Sequence, residues 1–274
     1  NSPNIKKLGL GFGTLGESES LSVACIELKN SSNVGSQAGE FFPYNFGPEL
    51  PADQRSDDEK STCFDGEFST EDVCIVGSPT LEISVSSDKP LAQLAVRLCD
   101  VRPDGTSALI THGFQNLTMA RSFEEPDKLA AGKKIDVEIQ LDQTAYHLPI
   151  GHKLRLAISN SYWPFIWPSP EITKINIYRG ILNLPFVNDN NKIDANIFDS
   201  PVSGDPLKCK VKRSPSSTRE SFFDENSGQR ILEVKHDSGC TVDLEHGLET
   251  DSGVVERWTS IGNDPLSAQI DIKW

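Results

Sequence analysis

The sequence predicts an all-β protein, an antiparallel sandwich or jelly roll followed by a small β-rich subdomain. Three observations predict it. Apolar and polar residues alternate with period two in several short runs from Leu81 onward. The runs are separated by turns rich in Pro, Gly, Asn and Asp, in a chain with 17 prolines and 20 glycines. No long segment carries the 3.6-residue period of an amphipathic helix, which leaves sheet-on-sheet packing as the way to bury the apolar faces.

Taken in order, residues 1–20 contain Gly11-Phe12-Gly13-Thr14-Leu15-Gly16, a formal match to the dinucleotide-binding glycine pattern. That chemistry needs a strand before the glycines, a helix after them and an acidic ribose ligand further on. Here Glu17-Ser18-Glu19-Ser20 follows, so the segment reads as a polar loop and no cofactor is expected. A short strand is expected from Leu21 to Leu28, then irregular chain to Glu40. Phe41, Phe42, Tyr44 and Phe46 stand beside Pro43, an aromatic cluster suited to core packing or to a pocket wall. Residues 49–72 hold nine acids against Arg55 and Lys60. Without EF-hand spacing they read as a solvated loop with a few salt-bridged acids, and no metal site is expected.

Leu81, Ile83 and Val85 begin the regular strands. Leu94 to Val101 is an apolar run of strand length that ends in the turn Pro103-Asp104-Gly105. Leu94, Val96 and Leu98 share one face, and Ala95, Arg97 and Cys99 share the other, so both faces are expected to be covered. Arg97 and Asp100 then need partners, because an unpaired buried charge is costly. Ser107 to Leu117, Ile135 to Leu141, Leu154 to Ile158, and Ile175 with Ile177 continue the series. Between the last two lies Ser161-Tyr162-Trp163-Pro164-Phe165-Ile166-Trp167, where Trp163 and Trp167 would stack sugars if exposed and plug the sandwich end if buried. Residues 188–206 read as a linker. Ile231 to Lys235, Thr241 to Leu244, Gly253 to Ser260 and Ala268 to Trp274 supply strands for the subdomain.

Forty acids against 26 basic residues give a net charge of −14, which repels phosphate backbones and anionic headgroups, so neither nucleic acid nor membrane is an expected partner. Six scattered cysteines without CxxC spacing make no disulfide scaffold and favour a reducing, cytoplasmic setting. The chain opens Asn-Ser-Pro and reads as a piece of something longer.

No Gly-x-Ser-x-Gly elbow occurs, and His147 and His152 are separated by Pro149 and Gly151, which excludes helical metal pairing. No catalytic residue is therefore assigned. Asp53, Arg55, Arg97, Asp100 and His152 are read as a structural network.

Leu50-Pro51-Ala52-Asp53-Gln54-Arg55 with Asp57-Asp58, Phe64-Asp65, Gly77-Ser78-Pro79, Ser86-Ser87-Asp88, Arg97 through Gly105, Gly151-His152-Lys153-Leu154-Arg155-Leu156 and Ser161-Tyr162-Trp163-Pro164 form an ordered set. The set resembles the C-terminal domain of the cocaine esterase and X-prolyl dipeptidyl peptidase family of serine hydrolases. The tail, with Asp264-Pro265-Leu266-Ser267-Ala268, resembles the extra segment of some bacterial members. The resemblance implies a jelly roll of galactose-binding-like type, non-catalytic, packed on an α/β-hydrolase domain of the same polypeptide that holds the Ser, Asp and His. Together with the residue reading this divides the chain into four parts: an N-terminal extension packing on the sandwich at 1–48, the jelly roll at 49–187, a linker at 188–206 and a β-rich subdomain at 207–274. It also brings the segment before Pro51 toward the active site, making Phe41, Phe42, Tyr44 and Phe46 candidates for a substrate-pocket wall. A homo-oligomer is compatible with it. The competing reading is a carbohydrate-binding sandwich using Trp163 and Trp167.

Overall fold

The structure is a computed structural model, and it describes residues 4–17, 25–29, 34–43, 48–187, 199–262 and 264–274. In chain order its elements are β1 (Asn4–Leu10), β2 (Leu15–Gly16), β3 (Ile26–Glu27), α1 (Arg55–Asp58), β4 (Thr62–Phe68), β5 (Val73–Gly77), β6 (Thr80–Ser87), β7 (Gln93–Val101), β8 (Ser107–Asn116), β9 (Ile135–Gln140), β10 (Thr144–Leu148), β11 (Lys153–Ser159), β12 (Ile175–Val187), β13 (Cys209–Arg213), β14 (Ser216–Asp224), β15 (Gln229–Asp243), β16 (Glu249–Ile261) and β17 (Asp264–Lys273). The chain divides into one unit of residues 1–188 with 261–268 and a second of residues 189–260 with 269–274.

The first unit is an all-β sandwich. One sheet has eight strands, β1, β2, β3, β5, β6, β9, β10 and β12, and the other runs β4-β11-β7-β8. The core lies where their inner faces meet: Leu94, Val96 and Leu98 of β7, Leu154, Leu156 and Ile158 of β11 and Phe64 of β4 share one cluster with Leu81, Ile83 and Val85 of β6, Val137 and Ile139 of β9, and Ile175, Ile177, Leu182 and Leu184 of β12. Period-two alternation places each set on one face, in β12 with a register shift between Ile177 and Arg179 that moves the inward positions from odd to even, and burial of that apolar area drives the packing.

β7 is interior in its sheet, paired antiparallel with β11 and with β8. Across this sheet Arg155 lies opposite Cys99 and Asp65, and Ala157 lies opposite Arg97 and Cys63. These residues therefore share the outer face, away from the core.

Several segments differ from the sequence-based expectation. The glycine run is the turn of a hairpin: the Gly11 amide donates to the Thr14 carbonyl at 2.8 Å, with Leu10 and Leu15 buried on either side. β12 does not end near Ile177 but continues to Val187, because β1, β5 and β6 all pair along it. The strand expected at Leu21–Leu28 is described only from Cys25 onward, where β3 pairs with β12. Most of the expected linker lies outside the described residues; from 199 to 208 the chain has no regular structure.

The second unit is built on a five-stranded sheet in the order β13-β15-β16-β17, with β14 also paired to β15. The two short strands expected at Ile231–Lys235 and Thr241–Leu244 are halves of the single strand β15. Ile231, Leu232, Val234, Gly239 and Cys240 of that strand are its buried positions.

Candidate functional site

The acidic stretch 49–72 is not a solvated loop. Gln54, Asp57, Asp58 and Ser61 are buried against the outer face of the four-stranded sheet, and α1 is the single turn that delivers them there. Arg97, 1% exposed, stands at the centre of that face. Its Nη1 donates to Gln54 Oε1 at 2.9 Å, and its Nη2 donates to Ser61 Oγ at 2.9 Å and pairs with Asp58 Oδ1 at 3.0 Å. The second Asp58 oxygen accepts from Ser107 Oγ at 2.7 Å and from Arg155 Nη1 at 3.2 Å. Arg155 in turn grips Asp65 through Nε and Nη2 at 2.7 and 2.8 Å, a bidentate pair. Burial alone would raise the Asp65 carboxyl, but bonds from Arg155 and Lys153 outweigh it and hold the group below the usual carboxylate range. On the same face burial pushes the Cys63 thiol up to about 11 and the Cys99 thiol to about 12, so both stay protonated.

The network also fixes a loop. Asp57 Oδ2 accepts the Gly35 and Gln37 amides at 3.0 and 3.2 Å. Gln54 Nε2 donates to the Gln37 and Ala52 carbonyls, both at 2.7 Å, and the Ala52 amide donates to the Gln37 carbonyl. The Glu40 amide donates to the Glu49 carbonyl at 2.8 Å, closing a neck at the base of segment 41–48. Gly39 sits in that neck with φ +77°, and a Cβ there would come within 2.7 Å of the Glu49 carbonyl oxygen, so only glycine fits. Gly35, φ +116°, is constrained in the same way against the Trp163 carbonyl.

On the protruding side of the neck, Phe41 is 75% and Phe42 71% exposed. Tyr44 and Phe46 lie outside the described residues. The Phe41 ring meets Phe165 edge to face at 5.7 Å between centroids. Phe165 is one member of a cluster with His112, Phe114 and Tyr162, whose ring centroids lie 5.0–6.2 Å apart. Burial among these rings lowers the His112 pKa, against a weaker opposite pull from Asp142. The site is thus an aromatic tip on a neck that the charged network holds to the sheet.

The other sequence-derived candidates are placed as follows. Asp53 accepts from Arg55 Nε at 2.7 Å and from the Arg55 and Ser107 amides at 3.1 Å, and so joins the Arg97 network through Ser107. Asp100 lies apart from it, on the inner face of β7. There His152 Nδ1 is 2.9 Å from both carboxylate oxygens, and Tyr146 Oη donates to Oδ2 at 2.8 Å. Tyr146 is on β10 of the opposite sheet, so Asp100 ties the two sheets together; burial and that bond push the Tyr146 hydroxyl up to about 12. Trp163 and Trp167 are neither both exposed nor both buried. Trp163 is 7% and Trp167 57% exposed, with ring centroids 4.7 Å apart. Asp57, Asp58, Asp65, Ser107, Tyr146 and Arg155 hold central places that reasoning from spacing alone did not assign. For two of them, Asp65 and Arg155, the sequence signal is a charged residue within a strand run.

Fold and site together define a β-sandwich with a pinned aromatic loop. The chain belongs to the family described as the X-Pro dipeptidyl-peptidase C-terminal non-catalytic domain, which matches residues 14–192. Among curated relatives it is 28% identical over 133 residues to a cocaine esterase of Rhodococcus sp., covering 48% of this chain and 23% of the esterase. It is 28% identical over 129 residues to an Xaa-Pro dipeptidyl-peptidase of Lactobacillus delbrueckii subsp. bulgaricus, covering 35% of this chain and 16% of the peptidase. The chain therefore matches less than a quarter of the length of either relative. Of solved structures, an α-amino acid ester hydrolase superposes with TM-score 0.56 at 18% identity over 66% of this chain and 36% of its own. An aminopeptidase from a marine sediment Thaumarchaeota archaeon gives 0.54 at 16% identity, over 66% and 37%. These two share the fold. Among the described residues no helix is long and apolar enough to cross a membrane.

Proposed function

We propose that this chain is the accessory domain of a serine hydrolase acting on acyl esters or X-prolyl peptides. In this reading it packs on an α/β-hydrolase catalytic domain of the same polypeptide and lends Phe41 and Phe42, with Tyr44 and Phe46, to the wall of the substrate pocket. Residues 34–40, beyond the strands β1, β2 and β3 that join the larger sheet, carry this loop onto the sandwich. One observation carries the proposal: two large aromatic side chains are exposed on a loop whose neck is fixed by Asp57, Gln54 and the Glu40–Glu49 bond. Exposed apolar area held on a rigid base suits contact with a partner or ligand, since little ordering entropy remains to be lost on binding. The esterase and peptidase relatives supply the reaction class.

The test has two arms. The isolated chain should fold without hydrolysing nitrophenyl esters or Xaa-Pro anilides. In the full-length enzyme, Phe41→Ala with Phe42→Ala should change KM or acyl preference; unchanged kinetics in a folded variant would remove the pocket-wall role. The carbohydrate reading rests on the exposed Trp167, but Trp163 behind it is buried, so a two-indole platform is not presented. Titration with a sugar panel should leave indole fluorescence flat, and saturable quenching abolished by Trp167→Ala would restore that reading.

A further inference from the structure

His112 is the member of the Phe165 ring cluster whose charge can change near neutral pH. It stands on the outer face of β8 with its side chain mostly buried, and among the described residues its Nε2 has no hydrogen-bond partner. Its ring meets Phe165 nearly edge to face, at 81° and 5.4 Å between centroids, and Phe165 in turn meets Phe41. The imidazole is thus one ring removed from the aromatic tip.

Three ionisable groups face it from the elements packed against β8. Arg97 lies directly opposite on β7, a cation fixed in place by Gln54, Ser61 and Asp58. Asp142, in the segment after β9, has an exposed side chain whose Oδ2 is 3.6 Å from His112 Nε2. Tyr162, after β11, brings a phenol that burial keeps neutral. On β8 itself the ring neighbour is the uncharged Phe114. A neutral imidazole suits this surrounding, and burial favours that form. An imidazolium in the same place is pushed by Arg97, which cannot yield, and drawn by Asp142 toward solvent. We propose that His112 is an acid-sensitive latch for the aromatic tip: neutral, it props Phe165 and through it Phe41; protonated, it swings to Asp142 and releases both. The neck bonds from Asp57, Gln54 and the Glu40 amide involve none of these rings, so the release is confined to the tip. The latch is a property of this chain alone; its use, a pocket wall that loosens in acid, rests on the accessory-domain reading.

NMR spectra of the chain with ring-labelled phenylalanine, taken from about pH 7.5 down to about pH 5, follow the His112 ring protons and the NOE between Phe41 and Phe165 together. The NOE should be strong at the upper limit and be lost along the His112 titration curve, with far-UV circular dichroism unchanged. His112→Gln, which stays neutral, should keep the NOE throughout. Asp142→Asn removes the attraction toward solvent and should move the midpoint down by roughly a few tenths of a pH unit. An NOE that survives protonation of His112, as when the rings hold the imidazolium by their faces, overturns the proposal. So does a loss that persists in His112→Gln, one that coincides with unfolding, or a midpoint that Asp142→Asn leaves in place. In the full-length enzyme KM should vary across this range, and less so in His112→Gln. A working latch with KM indifferent to His112→Gln would remove the pocket-wall reading and leave the latch standing.

Discussion

Along β7, Leu94, Val96 and Leu98 on one face and Ala95, Arg97 and Cys99 on the other are all buried, yet different physics holds them. The inner face meets aliphatic side chains from the opposite sheet, and its stability comes from non-directional burial that tolerates a change of shape. The outer face meets Gln54, Asp58 and Ser61 through bonds with fixed lengths and angles. Burying Arg97 is worthwhile only with every partner in place, so the outer face adds little net stability over an apolar packing. What it supplies is position, because segment 35–61 can dock in one register only. One face makes the domain stable and the other decides where the aromatic loop stands.

Removing one side of this arrangement at a time tests the contrast. The largest effect is expected for Arg97→Met, which keeps volume but leaves Gln54 and Ser61 without their donor and Asp58 with Arg155 and Ser107 alone. A loss of about 3–5 kcal/mol in denaturant unfolding is expected, together with faster amide exchange across 35–40. Leu98→Ala on the inner face should cost about 2–5 kcal/mol through the cavity it leaves, with exchange in 35–40 keeping its rank against the rest of the domain. If both variants loosened that segment equally, the division of labour would be wrong. Asp57→Ala removes the acceptor of two backbone amides and should cost about 1–3 kcal/mol, read by the same denaturant titration, with loosening confined to the neck.

Acid should act on the outer face, where Asp65 and His112 lie and to which Asp53 is tied through Ser107. The Asp65 carboxyl is held below its ordinary value of 3.8, as is that of Asp53, where bonds from Arg55 and the Ser107 amide outweigh burial. The unfolded chain therefore binds more protons in the window below pH 3.8. The stabilisation is complete above that window and is lost as pH falls through the folded values. His112 has the opposite charge type and the same sign of slope. Burial lowers its pKa below 6.5, so its neutral form is favoured in the folded state, and stability declines as pH falls below 6.5. A His112→Gln variant should flatten the slope just below pH 6.5 and leave the acid limb below pH 3.8 intact. The smallest effect is expected for Phe41→Ala, within about 0.5 kcal/mol of wild type by thermal unfolding, because its ring is three-quarters exposed.

The inner face was legible in the sequence, and of the outer face its burial and the need of Arg97 for partners but not which partners, for a physical reason. Alternation such as Leu81-x-Ile83-x-Val85 records burial directly, so β6, β7, β9 and β11 fall within a residue or two of where their patterns place them. Hydrogen-bond partnership leaves no periodic trace. Asp58 has its partners at Arg97, Ser107 and Arg155, far along the chain, and a local reading of 49–72 finds acids with nothing to neutralise them. β13 and β14 escaped for a related cause: nearly all their residues are exposed, so they carry no apolar stripe. β5 and β10 are five residues each, too short for a pattern to stand out. The site was legible only in part. The aromatics of 41–46 are plain in the sequence, whereas the neck that presents them depends on single bonds such as Glu40 to Glu49.

That neck has a consequence for variation. The anchors, Gly35, Gly39, Gln54, Asp57 and Arg97, all lie outside residues 41–48, while Phe41 of the tip leans on Phe165. A substitution at Phe41 therefore leaves the bonds of the neck in place and reaches the sandwich through the Phe165 ring contact. The neck is a mount whose bonds, from Asp57, Gln54 and the Glu40 amide, do not depend on which side chain stands at position 41.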